Sequence, residues 1–219
     1  MSGPTVRRGL LVVVVAAVAL AAFYGIRRWQ ASASVEAAVH RLAAGEPAAA
    51  VRGLLPVVAA SPGDARTRYY LGLAYLGIGA RAGALRQLQE AVRLAPAEPR
   101  FHDGLGQVYR ETGRADLARR EFEEAIRRDA AEPRYHADVA GLLLDAGQVA
   151  EAVEHLRQAV GLQPESSAAR LLLASALRRL GDRDGMAREY RQVMRRARGT
   201  ALAEIAYQEL RALEPGTAR

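Results

Sequence analysis

Cysteine is absent from the 219 residues. Its absence excludes disulfides, thiolate metal sites, covalent haem attachment, a cysteine nucleophile and a lipidated N-terminal cysteine. It is compatible with either side of a membrane. Lysine is missing too, so all 31 basic residues are arginine; the bias reads as codon usage and carries no functional signal. Catalytic patterns are also lacking. The chain contains no phosphate-cradling glycine loop, no nucleophile elbow and no zinc-protease helix. Histidine is limited to His40, His102, His136 and His155. His102 and His136 stand 34 residues apart with no carboxylate at matching spacing, which points to rings packed between helices rather than to metal ligands. "DRDG" at 182–185 opens like a calcium loop but lacks the later ligands. These absences predict a protein that is not an enzyme, with no catalytic residue, metal, cofactor or small-molecule substrate.

The charge is concentrated rather than spread. Arg7, Arg8, Arg27 and Arg28 flank one apolar stretch and supply four of the net +7. The remainder is too weak and too mixed to imply nucleic acid as a partner. One stretch, Arg178 to Arg198, holds eight arginines against three acids. It reads as a solvated helix face or as a basic patch for an acidic protein or an anionic lipid surface. It lacks the interleaved aromatics that base stacking needs.

Residues 10–26, "LLVVVVAAVALAAFYGI", run without a charge. As a helix they span about 25 Å, slightly less than a bilayer core, and Trp29 with the arginine pairs extends them at the interfaces. The alternative is a cleaved signal peptide, for which Ala19-Leu20-Ala21 and Ala31-Ser32-Ala33 provide small-x-small sites. The length of the core and the arginine pair directly after it favour an uncleaved anchor. A slight excess of N-terminal positive charge puts the start in the cytoplasm and the rest outside.

Beyond residue 30 the chain repeats with a period of 34. "AEPR" occurs at Ala97 and again at Ala131, and Gly45, Gly79, Gly113, Gly147 and Gly181 are each 34 apart. Every unit holds two helical patterns around a glycine turn. Pro62, Pro96 and Pro164 stop second helices, whereas Pro99 and Pro133 open first helices, where a missing amide donor costs nothing. Helix pairs of this kind bury their apolar faces against the next pair. Pro56 lies inside a second helix and predicts a kink. Residues 200–213 form an amphipathic pattern with Leu202, Ile205, Ala206, Leu210 and Leu213 on one face, suited to capping the last repeat.

The pattern resembles the tetratricopeptide repeat. It is carried by Leu71-Gly72, Tyr75, Ala84, Leu88, Ala91 and Pro96, then by Leu105-Gly106, Tyr109, Ala118, Phe122 and Ala125, then by Ala140, Ala152, Leu156, Ala159 and Pro164. Met186 and Val193 occupy the small positions of the last unit. The resemblance implies an all-α, right-handed α-solenoid of about five helix-turn-helix repeats. The organisation expected is a tail at 1–9, a transmembrane helix at 10–26, a linker at 27–30, repeats at 31–64, 65–98, 99–132, 133–166 and 167–198, and a capping helix with its tail at 199–219. It also implies that Gly72 lies where paired helices cross and admits the neighbour's backbone. Gly77 has no evident role.

Family members line a concave groove with their first helices. Carried onto this chain, the groove positions are Arg66, Tyr69, Leu73, Leu76, Arg100, Asp103, Gln107 and Arg134. The lysine-and-asparagine clamp that some members use for an acidic C-terminus is not matched. The function implied is a membrane-tethered scaffold, or an accessory subunit of a bacterial envelope complex, that binds a protein segment. A transient assembly factor for exported or membrane-protein clients is the alternative. The expected location is the inner membrane, single-pass, with the repeats on the periplasmic side.

Overall fold

Five glycines bring the chain out of a helix at the same point of each repeat. Gly45, Gly79, Gly113, Gly147 and Gly181 all have φ between 73° and 87°, a region open to glycine and strained for other residues. After each, the next amide reaches back five residues: Glu46 to Arg41, Ala80 to Tyr75, Arg114 to Tyr109, Gln148 to Leu143 and Asp182 to Leu177, at 2.8–3.0 Å. This bond satisfies a carbonyl that the helix end leaves open. Helices start on proline at Pro47, Pro99 and Pro133, and others start on side-chain caps, whereas those that begin at Arg81, Ala115 and Val149 have neither. The caps include Asp64 accepting from the Arg66 amide, Ser166 from Ala169 and Asp182 from Gly185. "DRDG" is therefore a helix cap.

A computed structural model describes residues 4–212, with side chains described at 15, 17–25 and from 32 onward. The elements are α1 Pro4–Ala43, α2 Pro47–Ala60, α3 Ala65–Gly77, α4 Arg81–Leu94, α5 Pro99–Glu111, α6 Ala115–Arg128, α7 Pro133–Asp145, α8 Val149–Leu162, α9 Ser167–Leu180, α10 Arg183–Arg196 and α11 Ala201–Arg211. The fold is an all-α helical repeat. The chain divides between Ala95 and Pro96 into two units. In the first, α1 packs on α2 and α3, and α3 on α2 and α4. In the second, each helix from α5 to α10 packs on its successor, and α11 also reaches α9.

The 34-residue period is visible in the buried side chains. Within their own units, Ala50, Ala84, Ala118, Ala152 and Met186 are buried at one repeat position, and Leu54, Leu88, Phe122, Leu156 and Tyr190 at another. Opposite them lie Ala38, Gly72, Gly106, Ala140 and Ala174, all buried. A Cβ at Gly72 would sit 2.5 Å from Cγ of Leu88, and one at Gly106 would sit 2.7 Å from the Phe122 ring. What these glycines admit is thus a large side chain of the paired helix, not the neighbour's backbone. Gly77 also has a reason, since its Cβ would meet Pro47 at 2.7 Å.

α1 runs unbroken from Pro4 to Ala43, so the stretch expected as a linker at 27–30 is continuous helix. Among the described residues no helix is long and apolar enough to cross a membrane. Residues 10–14, 16 and 26 of the expected anchor at 10–26 lie outside the residues with described side chains. α2 continues through Pro56 to Ala60. α11 buries Ala206 fully and Leu202 and Leu210 in part, whereas Ile205 is 46% exposed and Leu213 lies outside the described residues.

Candidate protein-binding surfaces

Four of the eight expected groove residues lie on α3. Arg66 is exposed, with its guanidinium 5.9 Å from the Tyr70 ring centre. Tyr69 is only 6% exposed and meets Tyr70 edge-on at 5.1 Å. Its ring is therefore part of the packing and offers little to a ligand. Leu73 and Leu76 are half-buried and stand apart from the apolar cluster that Leu71 and Ala74 build with Val35, Ala38, Ala50 and Leu54.

The other four lie in the second unit, where they are engaged with one another or with nearby acids. Arg100 is exposed and pairs with Glu98 at 2.9 Å. Asp103 is fully buried, and its Oδ2 accepts from Arg134 Nη2 at 2.8 Å and from Gln107 Nε2 at 3.1 Å. Arg134 is thus a counter-ion for a buried acid rather than a free member of an arginine ladder. Sequence reasoning missed Asp138 and Arg110, which complete the group: Arg110 Nη1 donates to Asp138 Oδ1 at 3.3 Å. An acid near the middle of two successive first helices was the available signal.

Two buried oxygens in this group, Asp103 Oδ1 and Asp138 Oδ2, have no donor. Burial pushes the Asp103 carboxyl up to about 7, and its hydrogen bond with Asp138 and that residue's charge act in the same direction against the lowering effect of Arg134. Like-charged carboxyls taken from water retain one proton for this reason.

The histidines belong to a second periodic feature. His102 is 7% exposed, bonds Glu121 Oε2 through Nδ1 at 2.7 Å and the Pro96 carbonyl through Nε2 at 2.9 Å. One repeat later, His136 faces His155, Nδ1 to Nδ1, at 3.3 Å. One repeat earlier, Arg68 holds Gln87 at 3.0 Å and the Pro62 carbonyl at 2.6 Å. Two repeats later, Arg170 holds Glu189 at 2.7 Å and the Pro164 carbonyl at 3.0 Å. Each pair spans 19 residues and ties the first helix of a repeat to its second. The carboxylate that the 34-residue spacing did not supply for His102 is thus Glu121. That bond raises the His102 pKa against the opposing effect of burial, whereas burial followed by His136 lowers that of His155. Among the described residues no group of three or more histidines or acids is placed to hold a metal.

Solved structures with the same fold include TTC0263, a thermophilic tetratricopeptide repeat protein of Thermus thermophilus. It is 20% identical with a TM-score of 0.70, over 84% of this chain and 100% of that one. The structure of pilF from Pseudomonas aeruginosa gives 18% identity and a TM-score of 0.73, over 87% and 95%. YrrB, described as a tetratricopeptide repeat protein with an unusual peptide-binding site, gives 15% and 0.61, over 80% and 90%. At these identities the likeness shows the fold alone. No curated protein matches the chain. Tetratricopeptide repeat models match residues 35–99, 79–133 and 143–213. Together with the recurring small and large residues, these matches establish that the chain belongs to the tetratricopeptide repeat family.

Proposed function

We propose that the protein is a membrane-tethered interaction scaffold, without catalytic activity, that holds a segment of a partner protein against first helices of its repeats. The observation that carries this reading is on α3. Leu71 and Ala74 face the core, while Leu73 and Leu76 keep half-open apolar surface outside that cluster, and Arg66 stands exposed on the same helix. Apolar side chains beside a cation suit a segment with apolar anchors and a few carboxylates. The peptide-binding site ascribed to YrrB supports the same use of the fold. The charge-free run at 10–26 with arginine pairs at both ends supports single-pass attachment to the inner membrane, with the repeats on the periplasmic side.

A photo-crosslinking residue at Leu73 or Leu76 of the full chain tests the reading in cells. Both positions should trap the same protein, and Arg66→Glu with Leu76→Asp should abolish capture from Leu73 while leaving the helical signal unchanged. Equal trapping from exposed Arg120, on α6, would overturn the assignment. Fixed stoichiometry of the trapped complex would mark a subunit, whereas client-dependent capture would mark an assembly factor. Resistance to carbonate extraction tests the attachment, and digestion of the repeats by external protease in spheroplasts tests the side, where a protected domain would overturn the periplasmic placement.

A further inference from the structure

The arginines between 178 and 198 fall into two groups. Arg178 pairs with Glu209, Arg179 donates to the Leu144 carbonyl at 2.9 Å, and Arg196 reaches Gln192 at 2.9 Å and Glu165 at 3.5 Å. These brace the repeat. Arg188, Arg191, Arg195 and Arg198, like Arg183 at the start of the same helix, are exposed and have no partner among the described residues. The first three recur at intervals of three and four, which puts them on one face of α10, and Arg198 follows in the next turn. Met194 lies half-buried between them. It shares with Arg191, Arg195 and Arg198 a surface depression of ≈ 310 Å³. A second depression of ≈ 650 Å³ joins it through Met194 and Arg198 and reaches Tyr207 on α11, which is 44% exposed. The nearby acids are few: Asp184 on α10, Glu189 on the same helix, which Arg170 holds at 2.7 Å, and Glu204, which holds Gln208 at 2.6 Å.

We infer that this α10–α11 face is a second binding surface, independent of the first-helix surface, for an acidic protein segment carrying an apolar anchor residue. Three unpaired guanidiniums around one thioether specify the occupant by charge and shape. Carboxylates satisfy the arginines in the forked geometry that arginine favours. The anchor fills the depression on Met194, whose flexible, polarizable side chain adapts to it. A flat anionic lipid surface meets the charges but leaves the depression empty. A second copy of this chain, itself net positive at +7, brings charge of the wrong sign.

The probe is a labelled glutamate-rich peptide with leucine at every fourth position, titrated by fluorescence anisotropy against the full chain. Binding should weaken about tenfold or more in Arg191→Glu/Arg195→Glu, and should fall with added salt. The milder Arg191→Gln/Arg195→Gln pair should weaken it in the same direction with an unchanged helical signal. Met194→Ser should weaken the leucine peptide about fivefold and leave a serine-substituted peptide unaffected. Arg52→Glu/Arg120→Glu, which changes net charge equally at exposed sites elsewhere, should bind as the wild type does. Equal loss in that control would overturn the inference, as would no binding by the wild type. Binding of phosphatidylglycerol vesicles or duplex DNA through the same arginines, with the peptide left unbound, would also overturn it.

Discussion

At the scale of single residues, four polar pairs do the same work with different chemistry. Arg68–Gln87 and Arg170–Glu189 use a permanent cation, whereas in His102–Glu121 and His136–His155 the contributions of His102 and His155 depend on pH. Their signs oppose. His102 is raised above 6.5 by its bond to Glu121, so its contribution is complete below about 6.5 and is lost as pH rises through the raised value. His155 is lowered below 6.5 by burial and by His136, so its contribution is present above about 6.5 and is lost as pH falls through the lowered value. His102→Gln should therefore lower Tm by about 2–4 °C near pH 6, the effect of one hydrogen bond in a protein of this size, and by less above about pH 8. His155→Gln should become progressively more favourable relative to the wild type as pH falls toward about 5. Calorimetry of both variants across that range checks this; parallel profiles would contradict it. None of these pairs was legible from residue type, because arginine and histidine alternate at one position and glutamine, glutamate and histidine at the other. The 34-residue phase alone links them.

At the scale of elements, turn glycines, proline starts and recurring small residues were all readable, since each is a steric requirement repeated at one period. The contents of the groove were less so. Position within a repeat predicts which side chains lie on the first helix, but not that Tyr69 packs against Tyr70 or that Arg134 is drawn onto Asp103. Those outcomes depend on neighbours brought together only by folding. The helical glycines separate packing from propensity. Gly106→Ala should destabilise by about 1–3 kcal/mol, because its Cβ would press into the Phe122 ring. Gly161→Ala, in α8 with nothing within 4 Å, should stabilise by about 0.5–1 kcal/mol. Chemical denaturation distinguishes them by sign.

At the scale of the whole molecule, two units are built from one repeat pattern, and the apolar N-terminal run shares a helix with the first repeat. That continuity gives the proposed tether a phase. An α-helix turns about 100° and rises about 1.5 Å per residue. One alanine inserted between Arg27 and Gln30 would therefore swing the first repeat around the helix axis while barely changing its distance from the membrane. Seven would bring it back to nearly its original bearing. Crosslinking from Leu73 to a membrane-bound partner should accordingly rise and fall with insert length. A loose linker at 27–30 would show only a gradual trend, because it transmits reach and no rotation.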